Sequence, residues 1–220
     1  MGVVSEAKTV VLVSPAMREA NNGNWHTAQR WAQLLSGYCD IALLPNWPDP
    51  RNTLTANAMI ALHARRSAPS IQAWAQHCPA KPLILILPGT DLYRDIHHDA
   101  SAQKSLALAT HLVVLQEAGL QEVPPALRRK TRVIYQSART LTPAAKSTRQ
   151  FRALMVGHLR EEKDPLTYLR AAARIFEGCM HFDHIGEALQ PDLAQAARCS
   201  KNNTASGPTC SARSKKNALF

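Results

Sequence analysis

The chain has 220 residues, of which 45% are apolar, and its net charge is +10. This length can build one complete and one partial α/β domain with a sizeable core. The sequence has no run of 18 uninterrupted apolar residues and does not begin with a basic segment followed by a hydrophobic one, which argues against a membrane-spanning or secreted protein. We therefore expect a soluble, cytoplasmic protein.

The cysteines indicate the redox compartment of the protein, and the positive charge indicates the kind of ligand it can attract. The five cysteines are widely spaced and form no Cys-x-x-Cys pair, a pattern typical of free thiols in a reducing compartment rather than of disulfides or a zinc site. The net charge would attract any polyanion, including nucleic acid. No recognition-helix, zinc-finger or base-stacking signature accompanies it, so no specific nucleic-acid partner is expected, and small anionic ligands fit the charge equally well.

Short apolar runs separated by helical stretches organise the first 140 residues. Six of these runs are predicted to be strands: residues 9–13, 41–44, 59–62, 82–87, 112–115 and 132–135. Helices are predicted at 25–35 and from 69 to about 77. This alternation favours an α/β fold with a parallel sheet and right-handed crossovers, a complete Rossmann-like domain over residues 1–140.

The remainder of the chain is predicted to hold a linker, a second domain and a tail. Residues 136–150 are polar and lack an apolar period, so we place the linker at 141–150. A partial second Rossmann-like domain is predicted over 151–200, with strands at 153–156 and 181–185 and helices at 166–173 and 192–198. Residues 201–216 contain no large apolar residue, and we expect 201–220 to be disordered.

The loop after the first predicted strand carries Asn22, Gly23 and Asn24. Doubly wound folds bind phosphates and substrates at this place. Glycine permits close approach of the backbone to a ligand, and the asparagine amides can donate or accept hydrogen bonds. The same residues could instead form a turn that caps the next helix, and the sequence leaves both interpretations open.

The loops after the third and fourth strands also carry polar groups. His63, Arg65 and Arg66 follow the third strand, and Thr90 and Asp91 follow the fourth. Two adjacent cations at the end of a strand could hold an acidic acceptor, or they could be the solvated start of a helix. The hydroxyl of Thr90 and the carboxylate of Asp91 are expected to lie over the same cleft as the asparagines.

The turn between the strand at 153–156 and the helix at 166–173 has the features of an anion site. The strand ends at Gly157, where free backbone N–H groups and the helix dipole would face the same point. Arg160 and Lys163 lie in this turn and can reach a diphosphate. The alternative is a solvated charge cluster at the start of an ordinary helix, with Glu161 and Glu162 favouring its amino terminus.

The order of these segments resembles that of the family 4 glycosyltransferases, which have two Rossmann-like domains (the GT-B type), and within them the selenosugar synthases of selenoneine biosynthesis. The donor-binding turn of such enzymes usually reads Gly-Arg-Leu-x-x-x-Lys-Gly, and its Arg and Lys grip the diphosphate of the sugar donor. Here His158 stands where that pattern has Arg, and Asp164 stands where Gly is common, so Arg160 is expected to carry the displaced charge. The resemblance rests on five segments in one order: residues 21–25, 61–67, 89–96, 133–137 and 156–165.

The resemblance implies transfer of N-acetylglucosamine from its UDP conjugate to selenophosphate, giving a selenosugar. It implies that Arg160 and Lys163 stabilise the departing diphosphate, and that His63, Arg65 and Arg66 position the acceptor. No Asp-x-Asp triplet is present, and neither a metal nor another cofactor is expected. The donor-binding residues implied by the resemblance are Gly157, His158, Gly186 and Glu187.

The chain departs from this family after Ser200. Such enzymes continue with further α/β structure and a Glu-x7-Glu motif whose carboxylates hold the ribose and the sugar of the donor. No Glu occurs after Glu187, so the tail is interpreted as a truncation or a shifted reading frame. The alternative function is therefore that of an inactive fragment that at most binds a nucleotide or an anion. Nucleic-acid binding driven by charge alone is a third hypothesis.

Overall fold

The computed structural model describes residues 8–20, 22–50, 55–143, 145–146, 148–175, 180–188 and 190–203. The chain divides into two compact units, unit 1 with residues 1–140 and unit 2 with residues 141–220. Each unit has its own sheet. The residues described between 141 and 150 form no helix or strand.

Unit 1 is built on a parallel sheet. Its described residues form six strands: β1 (Thr9–Val13), β2 (Asp40–Leu44), β3 (Ala58–Leu62), β4 (Leu83–Leu87), β5 (His111–Val114) and β6 (Thr131–Val133). They lie in the order β2-β1-β3-β4-β5-β6, and each neighbouring pair is parallel. The loops that follow β1, β3 and β4 therefore emerge at one edge of the sheet, the edge where doubly wound folds bind ligands.

Helices connect these strands. The described part of unit 1 contains α1 (Gly23–Leu35), α2 (Ala68–His77), α3 (Ile96–His98), α4 (Ala100–Leu108) and α5 (Gly119–Glu122), with 3-10 turns at Arg18–Ala20 and Pro125–Lys130 and a π-helical turn at Asp91–Asp95. Local sequence explains where helices begin. Pro69 lies in the first turn of α2, where its missing N–H costs no hydrogen bond. Asp99 caps α4, because its Oδ1 accepts the N–H of Ala102 at 2.8 Å.

The strands of unit 1 are apolar on both faces because helices cover both sides of the sheet. One face packs against Ile71 and Trp74 of α2, and the other packs against Ala28 of α1. Successive residues of one strand, such as Leu85 and Ile86, are consequently both buried. Each large apolar side chain buried in this way contributes about 1.5–3 kcal/mol, so the sheet is a firm support for the loops at its edge.

The predicted alternation of strands and helices is confirmed in unit 1, with small shifts of the strand boundaries. The largest shift is at β6, which was predicted to reach residue 135 and ends at Val133. Tyr135 is 61% exposed. The side-chain amide of Gln136 donates to Oγ1 of Thr27 at 2.8 Å, which directs the chain onto α1 instead of along the sheet.

Unit 2 has the order strand, turn, helix, strand, helix. Its described elements are β7 (Phe151–Val156), a 3-10 turn at Glu161–Lys163, α6 (Pro165–Arg174), β8 (Met180–Ile185) and α7 (Pro191–Asn203). β7 and β8 are parallel, with Val156 opposite Ile185. Tyr168 fixes α6 on this sheet, because its hydroxyl lies 3.0 Å from the carbonyl oxygen of Ala153 and 2.6 Å from that of Asp183.

The predicted fold class, α/β with Rossmann-like parallel sheets, is confirmed. One helix differs from the prediction: α7 was expected over 192–198 and ends at Asn203, three residues inside the segment predicted to be disordered. An established helix can extend into polar sequence because each added residue gains a hydrogen bond. The rest of the predicted tail, 204–220, lies outside the described residues. Among the described helices, none combines the length and apolarity needed to cross a membrane.

Candidate functional site

Two glycines position the turn that follows β7. Gly157 (φ 139°) and Gly186 (φ 154°) follow β7 and β8 in backbone conformations that residues with side chains rarely adopt. A Cβ on Gly186 would lie 2.0 Å from the carbonyl oxygen of Gly157. Glycine at position 186 is therefore required for the two backbones to approach this closely.

Two histidines hold these loops together. The carbonyl oxygen of Gly157 accepts a hydrogen bond from Nε2 of His184 at 2.7 Å. The Nδ1 atom of His158 accepts the backbone N–H of Glu187 at 3.2 Å, so a neutral His158 carries its proton on Nε2. The structure thus brings together the four residues that the family resemblance implies for donor binding: Gly157, His158, Gly186 and Glu187.

Arg160 and Lys163 bracket the 3-10 turn that comes next. Both are exposed, and the N–H of Lys163 donates to the carbonyl of Arg160 at 3.0 Å. The Cε atom of Lys163 lies 3.9 Å from the Cβ position of Gly157, so the lysine side chain extends over that glycine. Within the described residues neither cation forms an ion pair, and both charges can meet an anionic ligand.

Asp164 begins α6 in the left-handed conformation (φ 45°, ψ 55°). Glycine adopts this conformation without strain, which gives a physical reason for a glycine at this position in the donor-turn pattern. The Oδ1 atom of Asp164 accepts the N–H of Thr167 at 3.3 Å, and hydrogen bonding to Thr167 lowers the pKa of the carboxyl. A ligand anion at this turn would therefore meet a negative charge close to the two cations.

In unit 1, Asn22 is the cap of α1. Its Oδ1 accepts the N–H groups of Asn24 at 3.1 Å and Trp25 at 3.2 Å. Gly23 is the first residue of the helix and is exposed, and a Cβ there would meet nothing within 4 Å. The oxygen of Asn22 thus serves the helix, while Gly23 and the half-buried Asn24 remain at the carboxyl end of β1.

Asp91 ties the loop after β3 to the loop after β4. Its carboxylate accepts the N–H groups of Ala64 at 3.0 Å and Gly89 at 3.1 Å. The side chain is fully buried and does not lie over a cleft as the sequence suggested, because these backbone donors draw it inward. Burial raises the pKa of Asp91, and the neighbouring His63 opposes that rise. Thr90, which precedes it, is half-buried.

His63 directly follows β3, adopts the left-handed conformation (φ 74°) and is buried. Its Nδ1 accepts the N–H of Arg66 at 3.3 Å, and its Nε2 lies 3.9 Å from Oδ2 of Asp95. Burial lowers the pKa of His63, and the nearby Asp91 acts in the opposite direction. Non-glycine residues held at positive φ store strain and are common at functional sites.

Asp95 lies between two arginines. Its Oδ2 accepts from Nε of Arg65 and its Oδ1 from Nε of Arg94, each at 3.0 Å. Burial would raise the pKa of Asp95, but the hydrogen bond from Arg94 and the charges of Arg65 and Arg94 outweigh it and lower the pKa. Arg66 is exposed and forms no ion pair within the described residues. Of the adjacent cations, Arg65 is therefore paired with Asp95, whereas Arg66 has no carboxylate partner among the described residues.

Sequence reasoning missed Asp95 and His184. Asp95 follows Asp91 by four residues, and this spacing in a helical turn would have indicated a shared face. His184 carries no such signal, because its role depends on contact between the ends of two strands. In the described part of the chain, no group of three or more His, Cys, Asp or Glu is placed to hold a metal ion.

Comparisons with known proteins bear on the fold. No protein-family model matches the sequence, and no curated protein matches it significantly. Among solved structures, the chain is similar to HepE from Anabaena, whose crystal structure is of a complex with UDP-glucose. The TM-score is 0.54 with 12% sequence identity, and the match covers 94% of this chain and 69% of HepE. At this identity, the similarity shows that the chain shares its α/β fold with a protein that binds a UDP-sugar.

Proposed function

We propose that the chain is a glycosyltransferase that moves a sugar, N-acetylglucosamine, from a UDP donor to an anionic acceptor, selenophosphate. One observation carries this proposal: the glycine turn after β7 presents Lys163 and Arg160 without an ion-pair partner among the described residues. Two exposed cations over a glycine backbone suit a diphosphate. The shared fold with HepE, which was crystallised with UDP-glucose, supports the choice of donor.

On the donor side, Lys163 and Arg160 bind the diphosphate, with Gly157, His158, Gly186 and Glu187 as further contacts. Breaking the bond between the anomeric carbon and the diphosphate oxygen leaves an electron pair on UDP. Fixed cations stabilise this developing charge without reorganisation during the reaction. The 3.9 Å approach of the Lys163 side chain to Gly157 supports a lysine that is already in position.

On the acceptor side, Arg66 is the cation best placed to hold an anion, because Arg65 already binds Asp95. Gly23, Asn24 and Thr90 lie at the same edge of the sheet and can supply polar contacts. Selenophosphate is anionic and nucleophilic, so its selenium can attack the anomeric carbon without a strong general base. The C–Se bond forms as the C–O bond to UDP breaks, and hydrolysis of the Se–P bond by water then releases phosphate and the selenosugar. His63 and Asp91 then act as positioning residues, because both are buried and both bind loop backbone.

A second candidate is an inactive protein that binds a nucleotide without turning it over. Asp164 places a carboxylate at the anion turn, and its negative charge opposes the binding and orientation of a diphosphate donor. In this case UDP binding persists while transfer is absent.

The test is to incubate the protein with UDP-N-acetylglucosamine, with and without selenophosphate, and to measure UDP release and selenosugar formation by chromatography and mass spectrometry. Transfer that is lost in Lys163→Ala supports the first proposal. UDP binding without turnover supports the second. Absence of both binding and turnover contradicts both proposals.

A further inference from the structure

A cavity in unit 1 is not used by the proposed reaction. Its volume is about 260 Å³, and it is lined by Leu87, Pro88, Leu92, Tyr93, Leu115 and Gln116. Leu87 is the last residue of β4, and the other lining residues follow β4 or β5, at the edge of the sheet where doubly wound folds bind ligands. None of them is assigned above to the donor or to the acceptor.

The cavity is lined by apolar side chains together with polar groups. Its apolar part includes Leu87 and Leu92, which are buried, and no charged side chain is among the lining residues. Tyr93 adds an aromatic ring that is 47% exposed. No charged side chain lines the cavity to pair with an ionised ligand, whereas a flat apolar ring gains from burial against the leucines and the ring of Tyr93. The cavity therefore favours a neutral ring.

The rim of the cavity is polar and has a defined pattern. The amide of Gln116 donates a hydrogen bond to the hydroxyl oxygen of Tyr93. The hydroxyl hydrogen of Tyr93 and the side-chain amide oxygen Oε1 of Gln116 have no partner among the described residues, whereas the backbone oxygen of Gln116 accepts the N–H of Gly119. One donor and one acceptor thus stand side by side, and a ring hydroxyl can satisfy both.

We propose that this cavity is a binding site for a small neutral ring that carries a hydroxyl group, of which phenol is the simplest. Its volume lies below the roughly 300–1,000 Å³ of pockets that hold drug-sized molecules, and an apolar cavity of about 150 Å³ is known to take benzene. A single substituted six-membered ring therefore fits. Leu92 and Tyr93 lie in the π-helical turn, a feature that occurs often at functional sites.

The test is a titration of the full-length, 15N-labelled protein with phenol, followed by two-dimensional NMR. We expect saturable shifts of the amides of residues 87–93 and 115–116, with a dissociation constant in the millimolar range. Toluene has the same shape without the hydroxyl, and it should bind several-fold more weakly. No saturable shift up to the solubility limit of phenol, or shifts confined to other residues, would overturn the proposal.

Paired variants separate recognition from nonspecific binding. Tyr93→Phe removes the rim hydroxyl and should bring the affinity for phenol down to that for toluene. Tyr38→Phe is the matched control, because it makes the same change at a side chain that is 87% exposed on the segment before β2, and it should leave both affinities unchanged. Equal loss in the two variants would refute the rim assignment. The outcome is independent of UDP binding, which tests the function of unit 2.

Discussion

The contact between Gly157 and Gly186 predicts a large effect for Gly186→Ala. The new Cβ would stand 2.0 Å from the carbonyl oxygen and 2.5 Å from the carbonyl carbon of Gly157. Both are backbone atoms, so neither can move aside as a side chain would. Because non-bonded heavy atoms of other residues essentially never lie within 3.0 Å of a Cβ, the ends of β7 and β8 must move apart.

The free-energy cost of Gly186→Ala can be worked out from the hydrogen bonds that are lost when the ends of β7 and β8 move apart. The hydrogen bonds that join the two loops include the N–H of Gly157 to the carbonyl of Ile185 at 2.9 Å and Nε2 of His184 to the carbonyl of Gly157 at 2.7 Å. Losing two or three such bonds at about 0.5–1.5 kcal/mol each, together with about 1–3 kcal/mol of backbone strain at φ 154°, gives roughly 2–7 kcal/mol. Since a domain is stable by only about 5–15 kcal/mol, the turn should open locally.

Hydrogen exchange followed by mass spectrometry can resolve this effect by segment. In Gly186→Ala, peptides covering β7 and β8 should exchange much faster, while those covering β3 and β4 should not change. Gly157→Ala is the matched control, because its Cβ would meet only Cε of Lys163 at 3.9 Å, and only the strain of its positive φ remains. Exchange rates at β7 and β8 that match the wild type in Gly186→Ala would refute this account of the turn.

Three further predictions concern ionisable groups. Asp91→Asn should destabilise unit 1 by about 1–3 kcal/mol in urea unfolding, because the N–H groups of Ala64 and Gly89 bind different carboxylate oxygens and asparagine replaces one of these oxygens with an NH2 donor. Burial keeps the folded-state pKa of His63 below its unfolded value, so the unfolded state binds protons first, and stability should fall as the pH drops below about 6.5. His63→Asn, which tolerates the left-handed backbone, should flatten this slope below about pH 6.5; an unchanged slope contradicts the assignment. Asp164→Asn keeps the cap and removes the charge, so it should tighten UDP binding roughly two- to fivefold at low salt in calorimetry.

The sheet could be predicted because its strands are continuous apolar runs. A strand such as Leu83–Leu87 is covered by helices on both faces, so burial leaves a signal at every position. The sequence indicates less clearly at which residue each strand ends. β6 ends early because Gln136 bonds to Thr27 on α1, a contact between residues far apart in the sequence.

The candidate site could be predicted only in part, because a residue type does not specify its partner. Two loops with polar residues were recognised after β3 and β4, but nothing local showed that Asp91 would turn inward to bind Ala64. In unit 2, the order of strand, glycine, basic turn and helix is visible in the sequence. The close approach of Gly186 to Gly157 could not be predicted, because it depends on the register of β7 and β8.

The central claim is that Lys163 binds the diphosphate of a UDP donor, and calorimetric titration with UDP tests it most directly. The wild-type protein should bind UDP, and Lys163→Gln should bind about 10- to 100-fold more weakly, since a hydrogen bond to a charged group is worth about 1.5–3 kcal/mol. Lys104→Gln removes the same charge from an exposed position on α4 and should bind UDP like the wild type. No UDP binding by the wild type, or equal affinities in Lys163→Gln and Lys104→Gln, would contradict the account.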